Sequence, residues 1–433
     1  MNFKSVVGKS PLVNFRDGLL NGIAPDGGLY VPERIPKFPI EFLESLTNFS
    51  YQEIALKTLS MFLEDIPLPV LKNIVSWSLS FPIPLVQLEE NLFLLELFHG
   101  PTLAFKDVGA RFMAQALSHY LDKEQRETTI LVATSGDTGS AVAHGFFNVP
   151  HISVYVLYPS GKISRLQEAQ MTTLGGNIHA VEVDGTFDDC QRLVKQSLAD
   201  RELVDAKNLT TANSINLGRL LPQITYFVWA VAQLQKNYGI ASKKPTIIIP
   251  SGNFGNLTAA VYAQLLGAPI KNFVAATNAN NVVPEYFQTG IFTPRTSVQT
   301  YSNAMDVGNP SNLARLQFLY GNDVEAMRKN IQCISISDED TLDEIRQTYE
   351  TTNYILDPHT AVGVHAARKT SLGEPTIVVS TAHPAKFMEV IEKTTGITVT
   401  IPSQLQEAMG KTKLGTKLPV DYSVWREHLL VGR

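Results

Sequence analysis

The sequence predicts an α/β protein built on parallel β-sheets, preceded by a segment of different character. Three observations predict it. Short β-rich runs recur from about residue 90 onward, most of them lead into a turn rich in glycine or polar residues, and helical spacing follows several of those turns. Residues 129–133 (TILVA) lead into SGDTG and then SAVAHGFF, and residues 151–157 (HISVYVL) lead into YPSGK. Residues 246–249 (TIII) lead into PSGNFGN and LTAAVYAQLLG; residues 273–276 (FVAA) follow, and residues 376–379 (TIVV) lead into STAHPAKF. Strands buried on both faces read as continuous apolar runs, as these do. Ligands on such sheets bind beyond the carboxyl ends of the strands, where these turns fall.

Residues 1–85 read differently. Residues 18–39 are crowded with turn formers and suit a loop-rich, short-stranded start. Residues 51–63 read as a helix, and Pro67, Pro69, Pro82 and Pro84 punctuate the exit. The chain has 433 residues, 44% hydrophobic and 18% charged, which excludes a disordered protein. A net charge of −5 argues against a general nucleic-acid binder while leaving room for a local anion pocket. Two cysteines, Cys190 and Cys333, support neither a disulfide framework nor a cysteine-built metal site, and no HExxH occurs, so no metal is expected. The purest apolar run, residues 226–232, is far short of the ~20 residues of a membrane span. The start, MNFKSVVGKS, has no apolar signal region, so a cytoplasmic protein is expected.

Five motifs could carry chemistry. In ELFHGPTLAFKDVGARFMAQAL, residues 96–117, apolar spacing from Val108 predicts a helix with Lys106 near its first turn. The helix field there disfavours the ammonium and favours the free amine that a Schiff base needs. A solvated surface lysine is the alternative. TSGDTG, residues 134–139, places Ser135, Asp137 and Thr138 at a strand-to-helix turn whose N–H groups could receive a carboxylate or phosphate; an ordinary capped turn is the alternative. SGNFGN, residues 251–256, lacks both the dinucleotide fingerprint and the Walker lysine, so a cup for a single phosphate fits, or a packing turn. TANSINLGRL, residues 211–220, gathers Asn213, Ser214, Asn216 and Arg219, whose fork could grip a phosphate or simply lie on the surface. STAHPAKF, residues 380–387, presents a hydroxyl of Ser380 or Thr381 over the sheet, or is a polar turn.

Taken in order, ELFHGPTLAFKD, TSGDTG, PSGNFGN and STAHPAKF resemble the threonine synthases, pyridoxal-phosphate enzymes of fold type II (the tryptophan synthase β family). APDGGLYVPE, residues 24–33, is similar to their N-terminal segment, so the resemblance spans nearly the whole chain and is most specific to the bacterial and fungal form. It implies two parallel-sheet α/β domains plus an extra N-terminal domain. By that resemblance, residues 1–85 form the N-terminal domain and 99–212 a small mobile domain carrying Lys106. Residues 86–98 and 213–400 form a large domain, and 401–433 an appendage packed on the large one.

The resemblance further implies that Lys106 binds pyridoxal 5′-phosphate as a Schiff base and later moves protons. Gly252, Asn253, Phe254, Gly255 and Asn256 would cradle the cofactor phosphate, and Thr381 would partner the pyridine nitrogen. Ser135, Asp137 and Thr138 would receive the substrate carboxylate. Asn213, Ser214 and Arg219 would hold the substrate phosphate, and Thr102 joins the substrate-binding set. Many fold-type II enzymes carry Asn where this chain has Asp137, and NPTGSFKD where it has HGPTLAFKD; both are features of this branch, and they leave the partner of the cofactor O3′ open. Glu96 and His99 lie near Lys106 in sequence without an assigned role.

The implied reaction converts O-phospho-L-homoserine and water to L-threonine and phosphate, on a monomer or homodimer with no nucleic-acid or membrane partner. A phospholyase giving 2-oxobutyrate shares these motifs. A dehydratase or sulfhydrylase would lack phosphate dependence, and a non-catalytic relative would have no need of Lys106.

Overall fold

In the computed structural model, which describes residues 1–241, 243–370 and 373–432, the apolar runs become inner strands of two mainly parallel sheets. In chain order the strands are β1 (Phe3–Ser5), β2 (Tyr30–Pro32), β3 (Leu85–Glu89), β4 (Leu92–Glu96), β5 (Thr128–Ala133), β6 (Ile152–Pro159), β7 (Ile178–Val183), β8 (Leu209–Thr211), β9 (Thr246–Pro250), β10 (Phe273–Thr277), β11 (Ile331–Ser335), β12 (Thr376–Ser380) and β13 (Thr416–Leu418). The larger sheet runs β11-β10-β9-β12-β4-β3, parallel throughout except for β3 with β4. The smaller runs β13-β7-β6-β5-β8 and is wholly parallel. β4, β5, β9, β10 and β12 are buried at every position, as strands covered on both faces must be. The five strands expected from apolar runs lie within one or two residues of β5, β6, β9, β10 and β12.

The N-terminal segment is the antiparallel pair β1–β2 followed by short helices. Helix Tyr51–Ser60 opens on a capping box between Ser50 and Glu53, and it ends three residues before the expected limit of 63. Its buried Ile54, Ala55 and Leu59 join Leu71, Ile74 and Val75 of helix Leu68–Ser78 in the main apolar cluster. Each large aliphatic side chain so buried stabilises by about 1.5–3 kcal/mol. Polar ties fix the segment in place: Tyr51 and Thr225 share a hydrogen bond of 3.0 Å, and Arg315 Nε donates to Tyr30 O at 3.0 Å.

The C-terminal stretch corrects one expectation. Residues 401–409 touch both lobes, with Leu405 buried among Ala385, Phe387 and Ile391 beyond β12 and Leu166 of the smaller lobe, but the rest of the tail docks on the smaller lobe instead. β13 extends the smaller sheet by pairing with β7, and Trp425 and Leu429 bury against Leu193 and Val194 of helix Phe187–Ala199. Trp425 Nε1 donates to Ser197 Oγ at 2.8 Å, and Lys413 pairs with both Glu168 and Glu182. The open edge of β7 and the apolar face of that helix decide the docking, and neither is visible in the tail's own sequence.

Candidate functional site

The carboxyl ends of β5, β9 and β12 open onto one cleft between the two sheets, with about 950 Å³ of empty space. Lys106, Ser135, Asp137, Thr138, Asn213, Ser214, Arg219, Thr381 and residues 252–256 all line it.

Lys106 begins the helix Lys106–Glu124. The helix start is pinned to the end of β12, because Phe105 N–H donates to Thr381 O at 2.9 Å and Ala104 bridges Ala382. Lys106 is therefore a cleft residue rather than a surface lysine. Desolvation brings its amine down to about 8; Asp137 opposes the shift, and Arg219 and Lys386 add to it. Burial, more than the helix field, supplies the free amine.

Two anion-accepting spots flank this amine. At the first, Gly252 lets the backbone close in: a Cβ there would sit 2.8 Å from Met305 Cα. Phe254 takes a left-handed turn at φ 60° and leads into helix Gly255–Leu266, whose start has no side-chain cap. Asn256 Oδ1 accepts from Tyr226 at 2.7 Å, and its Nδ2 is buried without a partner. Free N–H groups at a helix start, with a spare amide donor, suit a phosphate. The Asn253 side chain is committed elsewhere, donating to Ser214 Oγ at 2.6 Å and accepting from Ser311 N–H at 2.6 Å, so it shapes the turn.

At the second spot, Arg219 is buried without a carboxylate partner among the described residues. Gly109 makes this possible, since a Cβ there would lie 2.8 Å from Arg219 O and 3.0 Å from Nε. Arg219 donates from Nη1 to Ala212 O, while Nε is buried and unpartnered. Desolvation lowers it to about 10, so it stays a cation at neutral pH. A buried guanidinium with no carboxylate to answer it among the described residues, on the wall of a cavity, suits an anion. It is not the surface arginine that remained open from sequence.

Three side chains stand differently from the expectation. Thr102 lies outside the cleft: its N–H and hydroxyl both donate to Asp107, at 2.8 and 2.7 Å, so nothing remains for a substrate. Asn213 lines the cleft, but its amide group exchanges bonds with the backbone of Ala133, donating to O at 2.9 Å and accepting from N–H at 3.3 Å. Asp137 is itself an anion, and its Oδ1 is taken by Lys386 at 2.7 Å and Gln167 Nε2 at 3.0 Å. Burial alone would raise Asp137, yet Lys386, Lys106 and His359 hold it well below the usual carboxylate range. In that turn Thr134 Oγ1 accepts the N–H groups of Gly136 and Gly139, so part of the turn is an ordinary cap. Ser135 and Thr138 supply its cleft-facing hydroxyls.

Glu96 and His99 pair at 2.7 Å, and Tyr354 donates to Glu96; none of the three lines the cleft. The sequence reading passed over Phe187 and Gln191, one helical turn apart on helix Phe187–Ala199, and His359, all of which line the cleft. His359 Nε2 accepts from Ala304 N–H at 3.1 Å, so its Nδ1 carries the proton donated to Asp357. Lys386 was also passed over, although it lies within STAHPAKF.

A deprotonatable lysine between two anion spots fits pyridoxal 5′-phosphate. Lys106 can meet its aldehyde, the Gly252–Asn256 turn its phosphate, and the Thr381 hydroxyl its ring nitrogen, with Arg219 left for a second anion. Comparisons with known proteins agree. Residues 79–382 match the pyridoxal-phosphate dependent enzyme family, residues 2–79 the threonine synthase N terminus and residues 360–429 the threonine synthase C-terminal family. The chain is 42% identical over 420 residues to the threonine synthase of Escherichia coli (strain K12), covering 96% of each. The crystal structure of threonine synthase from Escherichia coli superposes with a TM-score of 0.94 at 40% identity, covering 100% of both chains. A threonine synthase from Brucella melitensis with pyridoxal phosphate bound gives a TM-score of 0.91 at 34% identity, covering 100% of this chain and 99% of that one.

Proposed function

The chain belongs to the threonine synthase family, and we propose that its two anion spots divide the cofactor phosphate from the substrate phosphate. The enzyme is a pyridoxal-phosphate-dependent carbon–oxygen lyase of threonine biosynthesis, converting O-phospho-L-homoserine and water to L-threonine and phosphate. When bound, the cofactor supplies an electron sink for negative charge developing on the substrate carbons.

The residues of the chain do the rest. The uncapped start of helix Gly255–Leu266, with Gly252, Gly255 and Asn256 Nδ2, holds the cofactor phosphate. Thr381 offers the ring nitrogen a hydroxyl, which cannot act as a strong counter-ion. Arg219 holds the substrate phosphate, while Ser214, expected with it, is drawn instead to the Gly252–Asn256 turn by Asn253 at 2.6 Å, and Ser135 and Thr138 orient the substrate carboxylate. With its pKa brought down to about 8, Lys106 exchanges protons near neutral pH, first at Cα and then at Cβ. Phosphate departs from Cγ, a proton is delivered to Cγ to make the methyl group, water adds at Cβ, and a proton returns to Cα. Closure of residues 99–212 toward the larger lobe excludes water until that addition. By the same reading the enzyme works in the cytoplasm as a monomer or homodimer on a small molecule, with neither nucleic acid nor membrane as partner.

The observation that carries the reading is Arg219, a buried cation with an unused donor beside a desolvated lysine. The test supplies the cofactor-loaded protein with O-phospho-L-homoserine and quantifies phosphate, threonine and 2-oxobutyrate together. One threonine per phosphate is expected. Phosphate matched by 2-oxobutyrate would make it a lyase on the same site, and no phosphate would refute the substrate.

A further inference from the structure

Asp137 opens a helix on the smaller sheet's lobe, while Lys386 follows β12 of the larger sheet. Their side chains meet at 2.7 Å with exposures of only 4% and 0%. Lys386 Nζ also donates to Thr102 O at 3.0 Å, and Asp107 in turn holds Thr102. From a third direction, Gln167 Nε2 reaches Asp137. The pair thus joins the two lobes at the back of the cleft, beside the start of the Lys106 helix.

A buried ammonium is costly unless paired. The partner found here is also the carboxylate that bears on Lys106. After Lys386, Lys106 and then His359 are the cations and imidazole that act on Asp137. Lys106 is otherwise faced by Arg219 and Lys386, and Lys386 bears as well on Asp107, His144 and His383. Were Asp137 released by Lys386, Lys106 would be its next partner, and an amine tied into an ion pair is a poor nucleophile.

We propose that Lys386 is a positioning residue for this site: by taking up Asp137 across the two lobes, it keeps that carboxylate off Lys106 and leaves the Lys106 amine free for the cofactor. The inference rests on Lys106 being the cofactor lysine. It also accounts for the aspartate in SGDTG, because an anion at that turn is neutral in effect once a buried lysine answers it.

The test uses the full chain stripped of cofactor. Pyridoxal 5′-phosphate is added over a series of pH values, borohydride fixes what has formed, and the labelled lysine is mapped while the labelling rate is followed. In the unsubstituted protein the rate rises with pH through a midpoint near 8. Lys386→Met hands Asp137 to Lys106 and moves the midpoint up by about 1 unit or more. Asp137→Asn moves it down, because two cations then face Lys106 with no anion between them. The double variant, neutral at both positions, returns it close to its starting value, and Lys386→Arg holds it there. Should Lys386→Met fail to fold, Asp137→Asn and the double variant still read the sign. A Lys386 that merely braces the fold would lower the melting temperature without moving the midpoints in opposite directions, and that result overturns the proposal. Label on Lys106 with unmoved midpoints overturns only the role of Lys386; label on Lys386 overturns the reading of Lys106 itself.

Discussion

The wall of the cleft and the seam beneath the N-terminal segment each bury an arginine that has no carboxylate partner among the described residues. In the seam, Arg315 is fully enclosed, yet every nitrogen meets an oxygen. Nε donates to Tyr30 O, Nη1 to Asn312 Oδ1 and Ser214 O, and Nη2 to Ile215 O. In the cleft wall, Arg219 is 3% exposed, donates from Nη1 and keeps Nε unpartnered. Desolvation brings both down to about 10, so burial and charge do not distinguish them. What differs is how many donors are already used. A cation with every donor met is part of the scaffold, and one with a donor to spare beside a cavity is part of a binding site. The lysines repeat the contrast: Lys386 is spent on Asp137 and Thr102, whereas Lys106 lines the cleft without an ion-pair partner of its own among the described residues.

The largest effect that sharpens this contrast is expected from Lys106→Ala. Its kcat falls by about 10³-fold or more, the yellow colour of the loaded protein is lost, and thermal unfolding shows no loss of stability. A colour that survives in this variant and is discharged by borohydride would break the contrast between the two lysines. Arg315→Met should do the reverse. Unpairing the carbonyls of Tyr30, Ser214 and Ile215 lowers the unfolding free energy by about 3 kcal/mol in urea titrations, while KM stays unchanged. An altered KM at unchanged stability would move Arg315 into the binding site. Gly252→Ala is smaller: the added methyl meets the Met305 backbone, so cofactor affinity falls by about 10-fold in a fluorescence titration and the stripped protein loses about 1–3 kcal/mol of stability.

How much of this could be read from sequence follows from how local each signal is. β5, β9, β10 and β12 are continuous apolar runs, so burial on both faces is written into each run by itself, and the turns after β5, β9 and β12 sit where a parallel sheet puts them. β8 and β13 are three residues each and acquire strand geometry only from their neighbours β5 and β7. The tail's docking depends on an apolar face more than two hundred residues upstream. Lys386 is separated from Asp137 by a similar stretch, so nothing near it in sequence marks it as buried and paired. Thr102 precedes the cofactor helix as a binding residue would, but only Asp107, in the first turn of that helix, shows where its hydroxyl goes. Four motifs in order nevertheless announced the family, because each is a short contiguous run that is legible without knowing what packs around it.

The division of the two phosphates is tested most directly in Arg219→Met, by measuring the cofactor dissociation constant and the KM for O-phospho-L-homoserine on the same preparation. The expected result is a KM raised by about 10- to 100-fold with cofactor affinity unchanged. Cofactor affinity lost with KM intact would contradict it, and would place the cofactor phosphate at Arg219.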